Sequence, residues 1–147
     1  MVERAVVLAV ASALVVMAVV VVRAWSGRGV DALRASGSGP LWTALGESPD
    51  GRPSLVVFST PSCTACRTVQ LPAVEAVEAS FGSALRVLKV DLSKQPSAAA
   101  AFKVLTAPST AVLGGDGRVS RVNQGFATAD QLAAQLSALG ASPALRR

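Results

Sequence analysis

Residues 54–76 read SLVVFSTPSCTACRTVQLPAVEA, an apolar run that breaks into a paired-cysteine motif and then a helical pattern. Leu55–Phe58 is a short β-type run. Thr60-Pro61-Ser62 interrupts it, and Cys63-Thr64-Ala65-Cys66 follows at the head of the helical pattern. A strand feeding a helix in this way puts Cys63 at the first exposed position, where unpaired backbone N–H groups and the helix dipole favour negative charge. A thiolate there has a lowered pKa, and the thiolate is the nucleophile. Cys66 lies one turn deeper on the same side, within reach of a disulfide with Cys63. The chain has no other cysteine. Spacing and context together predict reversible dithiol–disulfide chemistry.

Composition removes most alternatives. With no histidine, His-based general catalysis, Cys–His nucleophile pairs and every His-containing metal site are excluded. Two cysteines cannot close a four-thiolate zinc site within one chain. The formal charge of +5 is spread thinly: residues 1–35 carry four arginines against one Glu and one Asp, and residues 36–147 carry ten Lys/Arg against seven acids. Apart from Arg146-Arg147 the basic residues stand singly, and there are no Tyr, four Phe and two Trp. That is not the basic, aromatic face nucleic acid requires, so no nucleic-acid partner is expected. The length of 147 residues suits one domain with a real core once the first segment is set aside.

That first segment is Ala5–Val22 (AVVLAVASALVVMAVVVV), uncharged and bracketed by Arg4 and Arg23. A run of about 18–20 such residues is long enough to cross the hydrocarbon core as a helix. Trp25 suits the interfacial position. A cleaved signal is disfavoured because Arg23-Ala24-Trp25, and not a small-x-small site, follows the run. A core helix is disfavoured because the run is apolar on all faces. The expectation is a single-pass anchor over residues 1–25, a Gly/Ser-rich flexible tether over 26–40, and one domain over 41–147. Orientation signals oppose each other. Arg23, Arg28 and Arg34 outnumber Arg4 and the terminal amine, which by charge count keeps the domain cytoplasmic. Dithiol chemistry has most use where disulfides persist, and the extracytoplasmic side is the expectation taken.

Beyond the motif, Val69, Val74, Val77 and Phe81 fall at helical spacing, with Pro72 a kink and Gly82 the stop. Leu41–Gly46 suits a short helical turn, and Leu85–Leu92 alternates as a second strand. Ser97–Phe102 is Ala-rich and helical, and Ser109–Leu113 is a third strand. Gly114-Gly115-Asp116-Gly117 turns into a fourth strand, Arg118–Asn123. Thr128 and Gln131 have capping-box spacing before a helix striped by Leu132, Leu136 and Leu139. The order β-α-β-α-β-β-α predicts an α/β fold: a mixed sheet, parallel crossovers first and an antiparallel hairpin at the edge, helices on both faces.

This order, with Cys-x-x-Cys at the first strand–helix junction, resembles the thioredoxin fold over about residues 41–140. Phe58 stands five before Cys63, Asp91 ends the second strand, and Phe102 and Val104 precede a turn, all as in that family. Gly117 and Gly125 match its hairpin and post-strand glycines. Ala107-Pro108-Ser109 resembles its Ile-Pro-Thr, whose proline is cis and packs against the disulfide. The resemblance implies that Pro108 blocks a second ligand from the sulfurs and that the Ala107 backbone receives a substrate strand, as in β-augmentation. There are departures. Thioredoxins proper have Trp-Cys-Gly-Pro-Cys where this chain has Ser62-Cys63-Thr64-Ala65-Cys66. The family's buried Asp falls on Val57, and its kink proline falls one residue late, at Pro72. The likeness is to membrane-anchored thioredoxin-like proteins of bacteria.

A disulfide closing so short a loop removes little unfolded-state entropy and makes a poor staple, which favours a redox role. Cys63 is then the attacking thiol and Cys66 the resolving one, working through a mixed disulfide with protein thiol or disulfide substrates. A membrane electron-transfer partner is implied, and no cofactor or metal. Two alternatives stand beside this oxidoreductase: a redox-inert docking domain of the same fold, and a metallochaperone holding Cu(I) between the two thiolates. Arg67 reads as solvated surface charge or as a cation supporting the thiolate. Thr60, Ser62 and Thr64 are hydrogen-bonding candidates for a sulfur or a turn, and Lys89 and Asp91 are strand-end residues.

Overall fold

The apolar run at 55–58 becomes the centre of the molecule. In a computed structural model of the chain, residues 2–35 and 37–144 are described, except for the side chains of 2–6, 8, 9, 23, 25–30 and 34. Arg4, Arg23, Trp25, Arg28, Arg34 and the terminal Arg146-Arg147, which the sequence singled out, therefore lie outside the described side chains. Strand β1 spans Ser54–Ser59 and is buried from Ser54 to Phe58. It lies inside a four-stranded sheet of order β2-β1-β3-β4, with β2 at Arg86–Asp91, β3 at Ser109–Leu113 and β4 at Val119–Gln124.

Alternation along β1 divides the core into two layers, because successive side chains point to opposite faces. Val56 and Phe58 pack with α2 (Gly39–Leu45) and α4 (Pro96–Phe102), where the Phe58 and Phe102 rings meet at 5.3 Å. Leu55 and Val57 pack with α3 (Leu71–Phe81) and α5 (Ala129–Ser137). Each fully buried aliphatic or Phe side chain contributes about 1.5–3 kcal/mol. The expected cap at α5 is present, with Thr128 Oγ1 accepting from the Gln131 N–H at 3.2 Å.

Three features differ from the sequence reading. First, only one crossover is parallel. β2 pairs parallel to β1, but β3 pairs antiparallel to it, with Phe58 opposite Ser109. A helix as short as α4 advances the chain only about 10 Å, about half the length of a six-residue strand. The chain therefore re-enters the sheet at the end it left. Second, the stretch expected as a tether is helical through Ala35, because α1 spans Val2–Ala35. Leu33 is buried with Leu41, Trp42 and Val119, so packing overrides the weak helix propensity of the Gly and Ser residues before it. Third, among the described residues no helix is long and apolar enough to cross a membrane. The side chains of 5, 6, 8 and 9, which open the run Ala5–Val22, are not among those described.

The sheet end where β1 begins is closed by side chains. Trp42 Nε1 donates to the Gly117 carbonyl at 2.8 Å. Gly117 has φ 77°, and a Cβ there would lie 2.8 Å from the indole nitrogen, so glycine is required on both counts. The Arg86 guanidinium lies 5.7 Å from the Trp42 ring centre and pairs with Glu47 at 2.5 Å.

Candidate active site

The opposite end of the sheet collects the Cys63–Cys66 pair, Arg67, Asp91 and the Ala107–Pro108 segment, whereas Lys89, expected at the strand end, lies inside β2 opposite Val57. β1 ends there at Ser59 opposite Asp91, β3 begins there at Ser109, and β4 ends there at Gln124 opposite Ser109. The chain leaves β1 through a tight turn in which the Cys63 N–H donates to the Thr60 carbonyl at 3.1 Å. Arg67 folds back over this turn, its Nη1 donating to the Pro61 carbonyl at 2.7 Å. Its guanidinium thus holds the loop that precedes Cys63. Thr64 contributes its carbonyl, which accepts from Thr68 Oγ1 at 3.0 Å.

Cys63 and Cys66 form a disulfide, with S–S 2.08 Å and Cα–Cα 5.3 Å. Cys63 is half-buried at the head of the helix and Cys66 is buried. The Cys66 N–H donates to Cys63 Sγ at 3.1 Å, one of the free donors of a helix start aimed at sulfur. The pair is therefore graded by access: one sulfur reachable, the other behind it.

From Cys66 to Gln70 the helix is a π turn, closed by the Leu71 N–H on the Cys66 carbonyl. A π turn takes one residue more than an α turn. Pro72 follows, exposed and without an N–H to give. The extra residue accommodates the one-residue displacement of this proline relative to the family pattern. It also changes which side chain turns inward. Val69, expected on the apolar stripe, is 44% exposed, whereas Gln70 is fully buried. Gln70 pairs with one backbone residue: its Nε2 donates to the Ala127 carbonyl at 3.1 Å and its Oε1 accepts the Ala127 N–H at 3.0 Å. The sequence signal for this was only a polar residue breaking an apolar face.

The Ala107–Pro108 bond is cis, and Pro108 is buried directly before β3. Ser109 and Gln124 hold this segment. Ser109 Oγ donates to the Thr106 carbonyl at 2.7 Å and accepts the Gly125 N–H at 3.4 Å. Gln124 grips Lys103–Leu105, its Nε2 donating to the Lys103 carbonyl at 2.8 Å and its Oε1 accepting the Leu105 N–H at 3.2 Å. Two large apolar side chains stay in solvent on these loops: Leu105 at 89% and Phe126 at 48%. Asp91 closes the turn after β2. Its Oδ1 accepts from Ser93 Oγ and N–H, and these bonds, with Lys94 nearby, hold its carboxyl below the usual range. Among the described residues no group of three or more Cys, Asp or Glu is placed to hold a metal ion.

A family model for thioredoxin matches residues 47–138, more than half of the chain. The chain belongs to the thioredoxin family. Fasciola hepatica thioredoxin is 27% identical at TM-score 0.52, the match covering 60% of this chain and 81% of that one. MTB dsbF, solved in mixed oxidized and reduced forms, is 24% identical at TM-score 0.51, covering 60% and 81%. Thioredoxin-2, a component of malaria parasite protein secretion machinery, is 24% identical at TM-score 0.55, covering 59% and 82%. Among curated proteins there is no match. Within the thioredoxin family this domain is thiol–disulfide oxidoreductase-like, with its Cys-x-x-Cys pair in bonding contact. It lacks a buried acid at Val57, which packs instead with Val74 and Val77.

Proposed function

We propose that the chain is a membrane-tethered thiol–disulfide oxidoreductase acting on protein substrates through Cys63 and Cys66. The observation that carries this is the graded pair itself: a half-buried Cys63 with the Cys66 N–H on its sulfur, backed by a buried Cys66. In the reducing direction the Cys63 thiolate attacks one sulfur of a substrate disulfide. The substrate S–S bond breaks, a mixed disulfide forms and one substrate thiolate leaves. Cys66 then attacks Cys63 Sγ, its proton passing to a departing substrate thiolate. The Cys63–Cys66 bond forms, the mixed disulfide breaks, and two electrons have moved to the substrate. Oxidation runs the same steps in reverse. The cis Ala107–Pro108 segment lies at the same sheet end, where the Ala107 backbone receives the substrate strand.

The tether is α1. Its run Ala5–Val22 is uncharged, and its described large side chains from Val10 to Val22 are exposed rather than packed on the domain. Such a surface needs an apolar environment. The domain faces the extracytoplasmic side, where a membrane partner renews its redox state.

In the full-length chain, Cys63→Ser abolishes protein disulfide exchange and Cys66→Ser accumulates mixed disulfides visible on non-reducing gels. Absence of trapped species with Cys66→Ser overturns the mechanism. Retention of the chain in membranes after alkaline carbonate extraction tests the tether. Labelling of reduced Cys63 by an impermeant maleimide in intact cells supports the extracytoplasmic side, and labelling only after lysis overturns it.

A further inference from the structure

Past the end of α4, the backbone that leads to β3 is held by side chains. Lys103 caps the helix in the left-handed region, at φ 53°. Val104 then drops into the core layer of Phe58 and Phe102, while Leu105 and Thr106 stay exposed. Gln124, at the end of β4, brackets Val104: its Nε2 donates to the Lys103 carbonyl at 2.8 Å and its Oε1 accepts the Leu105 N–H at 3.2 Å. A peptide group of a neighbouring strand would meet the same donor and acceptor, so a side-chain amide here stands in for backbone. Ser109 holds the next residue, its Oγ donating to the Thr106 carbonyl at 2.7 Å. The following residue, Ala107, is half-buried, and neither its N–H nor its carbonyl is hydrogen-bonded among the described residues. Open backbone groups on a fixed segment are what an added strand pairs with.

We propose that Gln124 is a positioning residue for disulfide exchange with proteins: by bracketing Val104 it fixes the segment at 103–106 and so sets the bearing at which the open Ala107 backbone meets a substrate strand. The inference rests on the oxidoreductase reading, in which Ala107 receives that strand. Gln124 acts through the loop and not on the sulfurs. With its two bonds in place the segment is ordered before the substrate arrives, and the cost of ordering it is not incurred on binding. A disulfide that carries no peptide backbone makes no such pairing and is indifferent to Gln124.

The test uses the full-length chain with two oxidised probes, insulin and hydroxyethyl disulfide, and dithiothreitol as the reductant. Gln124→Met keeps the side-chain length and removes both bonds. Gln124→Glu keeps the acceptor for Leu105 but sets a second oxygen against the Lys103 carbonyl. Gln124 is exposed, so both variants keep the fold. For both, the insulin KM is expected to rise about tenfold with kcat within about twofold, the pattern of lost binding that is uniform through the reaction. Turnover of hydroxyethyl disulfide stays at the wild-type value. Hydrogen exchange of the Leu105 amide quickens in Gln124→Met and not in Gln124→Glu, which retains its acceptor. An unchanged insulin KM in Gln124→Met overturns the positioning role, and an equal loss on both probes reduces Gln124 to a structural residue. Absence of any disulfide exchange by wild type is a different result: it overturns the oxidoreductase reading itself.

Discussion

Two buried side chains with polar tips each cross the fold to a backbone, at opposite ends of the sheet. Trp42 reaches Gly117, 75 residues away, and Gln70 reaches Ala127, 57 residues away. Their surroundings differ. Trp42 brings a large apolar body into a core layer with Leu41, Leu45 and Val119, and the Arg86 guanidinium, paired with Glu47, lies over its ring. Gln70 brings little apolar area, and at its end of the sheet Val69 on the helix and Leu105 and Phe126 on the loops stay in solvent, with Cys63 half-buried. One end is sealed by packing and the other is held open by hydrogen bonds. Loops positioned by a rigid scaffold are where reactive groups are expected, and the sealed end supplies that rigidity. Stability and reactivity are thus separated along the strands.

The largest expected effect tests the sealed end. Trp42→Ala should cost about 3–5 kcal/mol in urea unfolding while leaving turnover of a small disulfide by the folded fraction unchanged. A change in that turnover would break the separation of the two ends. Gln70→Leu should cost less, about 1–3 kcal/mol, since it leaves the buried Ala127 N–H and carbonyl without a partner. Thr128→Ala removes the cap that begins α5 just after the Gly125–Ala127 loop, and about 1 kcal/mol should be lost. Amide exchange confined to the first turn of α5 would sharpen the picture of an end held by local bonds.

The smallest effect is the response to acid. Asp50, held down chiefly by its bond from Arg52, and Asp91, held down chiefly by Ser93, both have folded pKa values below the usual aspartate range. Depressed carboxyls add stability that is complete above the unfolded pKa and is lost as pH falls through the folded one. Thermal unfolding should therefore be flat from about pH 5 to 8, where a chain without histidine has almost nothing to titrate, and should decline only below about 4.

The sequence by itself determined what local chemistry and periodicity carry. An all-apolar Leu55–Phe58 followed by a turn and Cys63-Thr64-Ala65-Cys66 specifies a buried strand delivering a dithiol to a helix start. The Thr128 cap and the glycine hairpin at 114–117 are likewise written in neighbouring residues, and each is found where it was read. Tertiary structure decided the rest. The π turn adds one residue to a helix that periodicity assumes regular, so Val69 and Gln70 exchange inside and outside. The direction of β3 depends on how far α4 carries the chain, which strand patterns do not encode. The helical stretch up to Ala35 follows from burial of Leu33 against residues far along the chain, against local Gly/Ser composition. The bonds Gln70–Ala127 and Trp42–Gly117 join residues whose proximity exists only once the sheet is assembled. Local rules place the sulfurs, and long-range packing decides what faces them.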